Sequence, residues 1–279
     1  MRAYSETVSM IRAGKLFTGL APGSKRLLMH ARKQSASVSV AVIVILAGLS
    51  NFMLPADALA RKVYSPAVEK GEAEIGYLLD YSVNTDPARN AGARHQFEYE
   101  LGVTDRWLTA VYGDFRKNPG QKFTWQGVKW ENIYVLTRPG EQWLDAGLYL
   151  EYFRPRAGLN LPDALEFKLL LEKESGGLTH TANLILTKEL GRNALPHVIA
   201  GYAWRSKWRW RREIEPAIEL YGGLGDVSQT LVPSRQSQQA GIVLLGKLHG
   251  GFSYEIGYLF GLTPVTDKGM LKFNIGYEL

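Results

Sequence analysis

Glutamates stand two residues apart at Glu72/Glu74, Glu98/Glu100 and Glu213/Glu215. On an extended strand this spacing puts both carboxyls on one face, about 7 Å apart. A glycoside hydrolase uses two such groups as acid and base. Catalysis needs convergent partners as well as residue types, and a solvated or salt-bridged strand face accounts for the same pairs. A His and a Ser two apart on one strand face would make a base–nucleophile pair. His95, His180, His197 and His249 all lack Ser at that offset. Cysteine is absent, which removes disulfides, thiolate zinc sites and thiol nucleophiles. No glycine-rich phosphate loop, EF-hand or His-based metal spacing occurs. The expectation is a protein that is not an enzyme and holds no cofactor or metal.

The run Trp204-Arg205-Ser206-Lys207-Trp208-Arg209-Trp210-Arg211-Arg212 interleaves aromatics with cations. Such a stretch can stack on single-stranded nucleic acid or sit at a lipid headgroup level. Charge distribution favours the second. The chain carries 33 Lys/Arg and 27 Asp/Glu, but residues 1–60 hold seven of the bases and two of the acids, which leaves 26 against 25. A phosphate-binding domain needs clustered positive charge on its folded part, so no nucleic-acid partner is expected.

Residues 1–60 read as an export signal. Arg32-Lys33 precede an apolar run of about a dozen residues, Val38 to Leu49, too short to span a bilayer comfortably. Ala58-Leu59-Ala60 supplies the small residues of a signal-peptidase site, which predicts cleavage between Ala60 and Arg61; the alternative is an uncleaved anchor. Met29 is an alternative start. Residues 61–71 are expected to be a periplasmic N-terminal stub.

From residue 72 to 279 the pattern is period-two alternation, the signature of strands. In the last nine residues Leu271, Phe273, Ile275, Tyr277 and Leu279 alternate with Lys272, Asn274, Gly276 and Glu278. Similar alternation in 72–83, 93–103 and 252–263, and weaker versions in 107–115, 128–137, 143–153, 164–174, 178–189, 197–206, 212–221 and 240–248, make twelve segments. Strands of about ten residues suit a tilted transmembrane β-barrel. Gly/Pro/Asp turns alternate with longer polar loops, so one end carries turns and the other loops. With twelve strands both termini fall on the turn side, the periplasmic side of an outer-membrane barrel. Trp107, Trp143, Trp208, Phe252 and Tyr277 fall near turn-side strand ends, as a headgroup-level aromatic girdle would. The last strand is predicted to pair with the first, leaving no edge.

The export signal, the ten-residue amphipathic strands and a terminal strand that is apolar at every second position resemble Gram-negative outer-membrane β-barrel proteins, porins and channels among them. In size and turn pattern the chain is similar to small channel proteins such as those linked to phenol meta-pathway degradation. The resemblance implies an all-β closed antiparallel barrel of about 12 strands over 72–279, in the cell outer membrane. It implies outer-membrane lipid as a partner, and insertion machinery that reads the C-terminal strand 269–279. The members usually end in Phe, Tyr or Trp; this chain ends in Leu279.

If apolar residues face lipid, parity turns Arg94, Glu98, Glu100, Lys129, Glu131, Glu151, Glu166, Lys168, Glu219, Glu255 and Lys272 toward the lumen. The inward set by this count has sixteen acids and six bases among the residues of the sequence. Surplus carboxylates in a narrow polar passage attract cations. The predicted function is passive passage of small polar or cationic solutes. Leu108, Leu170, Val243 and Leu245 also point inward, which suggests a rival: a non-conducting structural or adhesive barrel with a packed interior. An outer-membrane lipid-modifying enzyme is a third reading, since outer-membrane lipases are also twelve-stranded.

Overall fold

The structure, a computed structural model, describes residues 61–279. The predicted signal, its cleavage site and the Met29 start lie outside the described residues.

Twelve long strands follow the alternating segments: β1 (Ala73–Val83), β2 (Ala93–Thr104), β3 (Trp107–Lys117), β4 (Thr124–Val135), β5 (Asp145–Pro155), β6 (Asp163–Ser175), β7 (Leu178–Leu190), β8 (Val198–Trp208), β9 (Glu215–Asp226), β11 (Ser237–Lys247), β12 (Phe252–Gly261) and β13 (Gly269–Glu278). A two-residue strand, β10 (Gln229–Thr230), extends the β9–β11 loop. Every long strand is antiparallel to its sequence neighbours, and β13 pairs with β1 from Glu74↔Glu278 to Val83↔Gly269. The sheet therefore closes and has no long edge. Closure satisfies every ladder hydrogen bond within the protein, as a β-structure in hydrocarbon must.

Strand starts and ends moved by a few residues from their predicted places. The largest change at a strand start is β4, which begins at Thr124 and not at 128. There the register shifts at Asp114/Phe115, opposite Trp125–Gly127, and a bulge of this kind hides the period-two signal. The connection from β4 to β5 is longer than a tight turn. Leu136 to Leu144 form an excursion in which the Gly140 N–H donates to the Asp145 carboxylate at 2.9 Å.

Alternate side chains separate by face. Ile75, Val111, Trp130, Leu150, Leu184, Ile218, Ile242 and Leu271 are exposed on the outside. Glu131, Lys168, Asn183, Glu219 and Lys272 are buried. This is the reverse of a water-soluble sheet and matches a barrel with lipid outside. The girdle residues Trp107, Trp143, Trp208, Phe252 and Tyr277 are all exposed, and Phe252 packs on Tyr277 with ring centroids 4.9 Å apart.

Candidate functional site: a lumen filled by the N-terminal segment

The segment expected to be a periplasmic stub lies inside the barrel. Arg61, Val63 and Tyr64 are buried, and residues 61–69 form neither helix nor strand. At its start, Arg61 Nε donates to Gln239 Oε1 at 2.9 Å, and its guanidinium is 3.9 Å from Asp80. Both partners lie in the loop-side halves of their strands. At its end, Gly71 N–H donates to the Gly102 carbonyl and Gly102 N–H to the Glu72 carbonyl, each at 2.8 Å, near the turn-side end of β2. Ten residue steps of extended chain reach about 33 Å, about the thickness of a bilayer's hydrocarbon core. The segment thus runs down the lumen from the loop half to the turn end and then enters β1.

The wall holds this segment by its backbone as well as its side chains. Asn183, fully buried on β7, accepts from Tyr64 N–H through Oδ1 and donates to the Tyr64 carbonyl through Nδ2, both at 2.8 Å. The amide group of Asn183 reproduces one rung of a β-ladder. Tyr221 Oη donates to the Arg61 carbonyl at 3.0 Å. Lys62 Nζ reaches Glu98 at 3.0 Å and Glu100 at 3.6 Å. Val63 packs in a cluster with Ile185, Ala203, Tyr221, Val243, Leu259 and Met270, while Tyr64 packs with Ile133, Tyr149 and Leu170. Two wall glycines make room for it. A Cβ built at Gly102 would fall 1.9 Å from the Glu69 carbonyl oxygen, and one at Gly147 would fall 2.9 Å from Pro66 Cβ.

The structure places the eleven residues chosen by parity on the inner face of the wall, in three groups. Around Tyr64, its hydroxyl donates to Glu131 at 3.0 Å, and the Tyr149 hydroxyl stands 3.0 Å from Glu131 and 2.8 Å from Glu151. Lys129 pairs with Glu151 and Lys168 with Glu166, at 2.8 and 3.0 Å. The Lys168 ammonium also sits 4.1 and 3.8 Å from the ring centres of Tyr64 and Tyr149, a desolvated cation–π geometry. In the second group Lys272 donates to Glu219 and to the Tyr221 hydroxyl, each at 2.9 Å, and contacts Glu255. Arg205 joins the same two carboxylates, through Nε to Glu219 and Nη2 to Glu255, both at 2.6 Å. In the third, Arg94 Nε donates to Asp114 at 2.8 Å, and Gln96 donates to the same oxygen at 3.1 Å. Glu98 and Glu100 face Lys62 as above.

Two expectations change here. The surplus of inward acids shrinks, because Arg61, Lys62, Arg205 and Lys207 all turn inward. Lys207 pairs with Glu215 at 2.7 Å. The aromatic–basic run therefore splits by parity: Arg205 and Lys207 enter the lumen, whereas Trp204, Trp208 and Trp210 are exposed outside and the last two stack at 5.7 Å. The second change concerns water. Lys168, Lys272, Glu131 and Glu219 are shielded from solvent. The gap bounded by Arg61, Lys62, Tyr64, Asp80, Arg94 and Gln96 has a volume of only about 10 Å³, on the order of one water molecule.

Parity missed what completes these groups. Tyr112, Tyr149 and Tyr221 are buried inside, on the same strand parity as Asp114, Glu151 and Glu219. On the outside, strand pairing brings a serine to a histidine: Ser206 Oγ is 2.8 Å from His180 Nδ1 and accepts from Trp204 Nε1 at 2.9 Å. Among the described residues no hydrogen bond reaches the other ring nitrogen of His180, so the pair has no carboxylate to orient it as a triad has. Among the described residues there is also no cluster of three metal-ligating side chains.

No family model matches the chain, and no curated protein matches it. Solved structures do. The translocator domain of the autotransporter NalP from Neisseria meningitidis is similar at 11% identity and a TM-score of 0.44, over 86% of this chain and 98% of that one. Salmonella typhi OmpF in complex with daunomycin is similar at 10% identity and a TM-score of 0.31, over 75% and 96%. A mutant of the Rh. blastica porin is similar at 8% identity and a TM-score of 0.29, over 75% and 99%. The likeness is one of barrel architecture alone. The chain itself is a closed antiparallel β-barrel, apolar outside and polar within.

Proposed function

We propose that this barrel is closed at rest by its own N-terminal segment, and that it passes small polar or cationic solutes only when the segment leaves. The observation that carries this reading is the paired hydrogen bonding of the Tyr64 backbone to buried Asn183. A chain merely lying in a wide pore would keep those groups on water. A permanently open channel is the weaker reading, because the mid-lumen charges are desolvated. Buried charges are costly unless paired, and a barrel built only as a scaffold has no need of so many. Their number on the inner wall supports a passage that is wet in a second state. The closing strand β13 is the segment read by the insertion machinery in this proposal. No catalysis is assigned, since His180 and Ser206 lack an orienting acid.

Planar-bilayer recording of the intact mature protein tests the proposal. At low voltage the insertion of barrels should leave the membrane nearly silent, with rare openings. Steady ohmic conductance from the moment of insertion would overturn it.

A further inference from the structure

We propose that the open cleft at the turn-side end of β4 and β5 is a site for one anionic glycerophospholipid, its phosphodiester held by Arg106 and Arg138 and an acyl chain laid on Leu136 and Trp143. The cleft has a volume of about 500 Å³, within the range of small-molecule sites. An aromatic girdle needs only amphipathic rings at the headgroup level. This is a recess that puts two guanidiniums beside an apolar lining. Its floor is fixed by its own backbone. The Leu136 and Thr137 N–H groups both donate to the Ala146 carbonyl, at 2.9 and 3.2 Å, and the Thr137 hydroxyl accepts from the Ala146 N–H at 2.8 Å. Gly140, at φ +75°, turns the chain back and its N–H reaches Asp145. The Val135 N–H donates to the Arg106 carbonyl at 2.8 Å, which ties the β2–β3 turn to the same floor. A site ordered in advance costs less to fill.

Continuity and charge identify the occupant. Leu136 extends the outward row Val128, Trp130 and Tyr134 of β4, all of them exposed. That row leads from the lipid-facing wall into the cleft, where Trp143 and Leu144 add apolar surface. Trp143 is 78% exposed, and its ring centre lies 5.3 Å from the Lys173 ammonium, so a further cation stands beside the lining. Among the described residues the Arg106 guanidinium has no hydrogen-bond or ion-pair partner. Arg138 pairs with Glu141 at 3.3 Å, but both side chains are exposed. An exposed pair is worth little and is open to exchange for a phosphate. Among the described residues Glu141 is the one acid lining the cleft, against two guanidiniums. Guanidinium forks match phosphate oxygens, and the surplus of positive charge favours a headgroup of net negative charge over a zwitterionic one.

The inference rests on the barrel exterior facing lipid, and not on whether the barrel conducts. Native mass spectrometry of the whole barrel, released from outer membranes into a nonionic detergent, tests it with added phosphatidylglycerol or phosphatidylcholine. Phosphatidylglycerol should give a single saturating adduct, and phosphatidylcholine should bind about tenfold more weakly. The variants R106Q and R138Q should each weaken the phosphatidylglycerol adduct about tenfold, the factor for one charge-assisted bond. The control R211Q with R212Q, in the β8–β9 turn, should leave it unchanged. Trp143→Ala changes an exposed side chain and should weaken the adduct while heat-modifiable gel mobility stays as in the parent. Soluble glycerol phosphate at millimolar concentration should not displace the lipid, since it lacks the chain that meets Leu136. Equal binding of the two lipids, an adduct undiminished in R106Q and R138Q, an equal loss in the Arg211/Arg212 control, or displacement by glycerol phosphate would each overturn the site. A barrel that conducts steadily yet binds phosphatidylglycerol in this way would overturn the resting closure alone.

Discussion

Deleting residues 61–68 while keeping the leader should turn a silent barrel into one with frequent unitary openings that favour cations. The segment supplies the side chains that fill the middle of the lumen: Val63 in one apolar cluster and Tyr64 in the other. Without it, Asn183, Glu131 and Lys168 lose partners or cover. An unpaired buried polar group costs about 1–3 kcal/mol, so these groups will draw in water. The deletion also removes Arg61 and Lys62, two of the cations facing Asp80, Glu98 and Glu100. The lumen becomes more negative by two charges, and a negative, low-dielectric passage concentrates cations. Bilayer recording in a salt gradient reads both effects. A deleted barrel that inserts and stays silent, or one with an anion-selective reversal potential, would contradict this expectation.

Replacing Lys272 by Met should destabilise the barrel by about 3–5 kcal/mol, the usual cost of removing one member of a buried ionic group. Methionine keeps the length of the side chain, so packing changes little. The charge is what disappears. Lys272 is fully buried and bonds Glu219 and Tyr221 besides contacting Glu255. In its absence one guanidinium, Arg205, faces two carboxylates. With a urea slope of about 2 kcal/mol/M, the unfolding midpoint in lipid vesicles should fall by about 2 M. The double variant Lys272→Met, Glu255→Gln balances the group again and should recover part of the loss, a non-additivity typical of residues in one network. A single variant that unfolds at the parent's midpoint would show that the group is wet and screened.

Much of this barrel is legible in the sequence because a two-sided strand writes its two solvents into alternate residues. The last nine residues are a clear case, and β13 pairs with β1 as that pattern requires. The same alternation points all eleven chosen residues inward. Parity, however, reports only the side of the sheet on which a residue lies. It cannot tell whether the inner side meets water or protein, and here the difference lies in a segment without alternation. Within Arg61-Lys62-Val63-Tyr64-Ser65-Pro66, the residues Arg61, Lys62 and Tyr64 reach side chains scattered over β1, β2, β4, β7, β9 and β11, so no period betrays it. Arg205 was obscured for another reason: the conspicuous tryptophans on either side drew the whole run to the headgroup level, although its parity matches that of buried Ala203. The bulge opposite Trp125–Gly127 displaced the start of β4 by breaking the period itself.

The placement of the N-terminal segment is tested most directly by a single engineered crosslink. The chain has no cysteine, so Pro66→Cys with Gly147→Cys introduces the only two thiols. An ideal Cβ at Gly147 lies 2.9 Å from Pro66 Cβ, and a disulfide needs about 3.5–4.5 Å between these atoms, within reach of a small shift. In outer membranes treated with a mild oxidant, the pair should become inaccessible to a thiol-alkylating reagent and return to full labelling after reduction. Thiols that stay fully alkylatable under oxidant, in a barrel that keeps its heat-modifiable gel mobility, would mean that the segment lies outside the lumen.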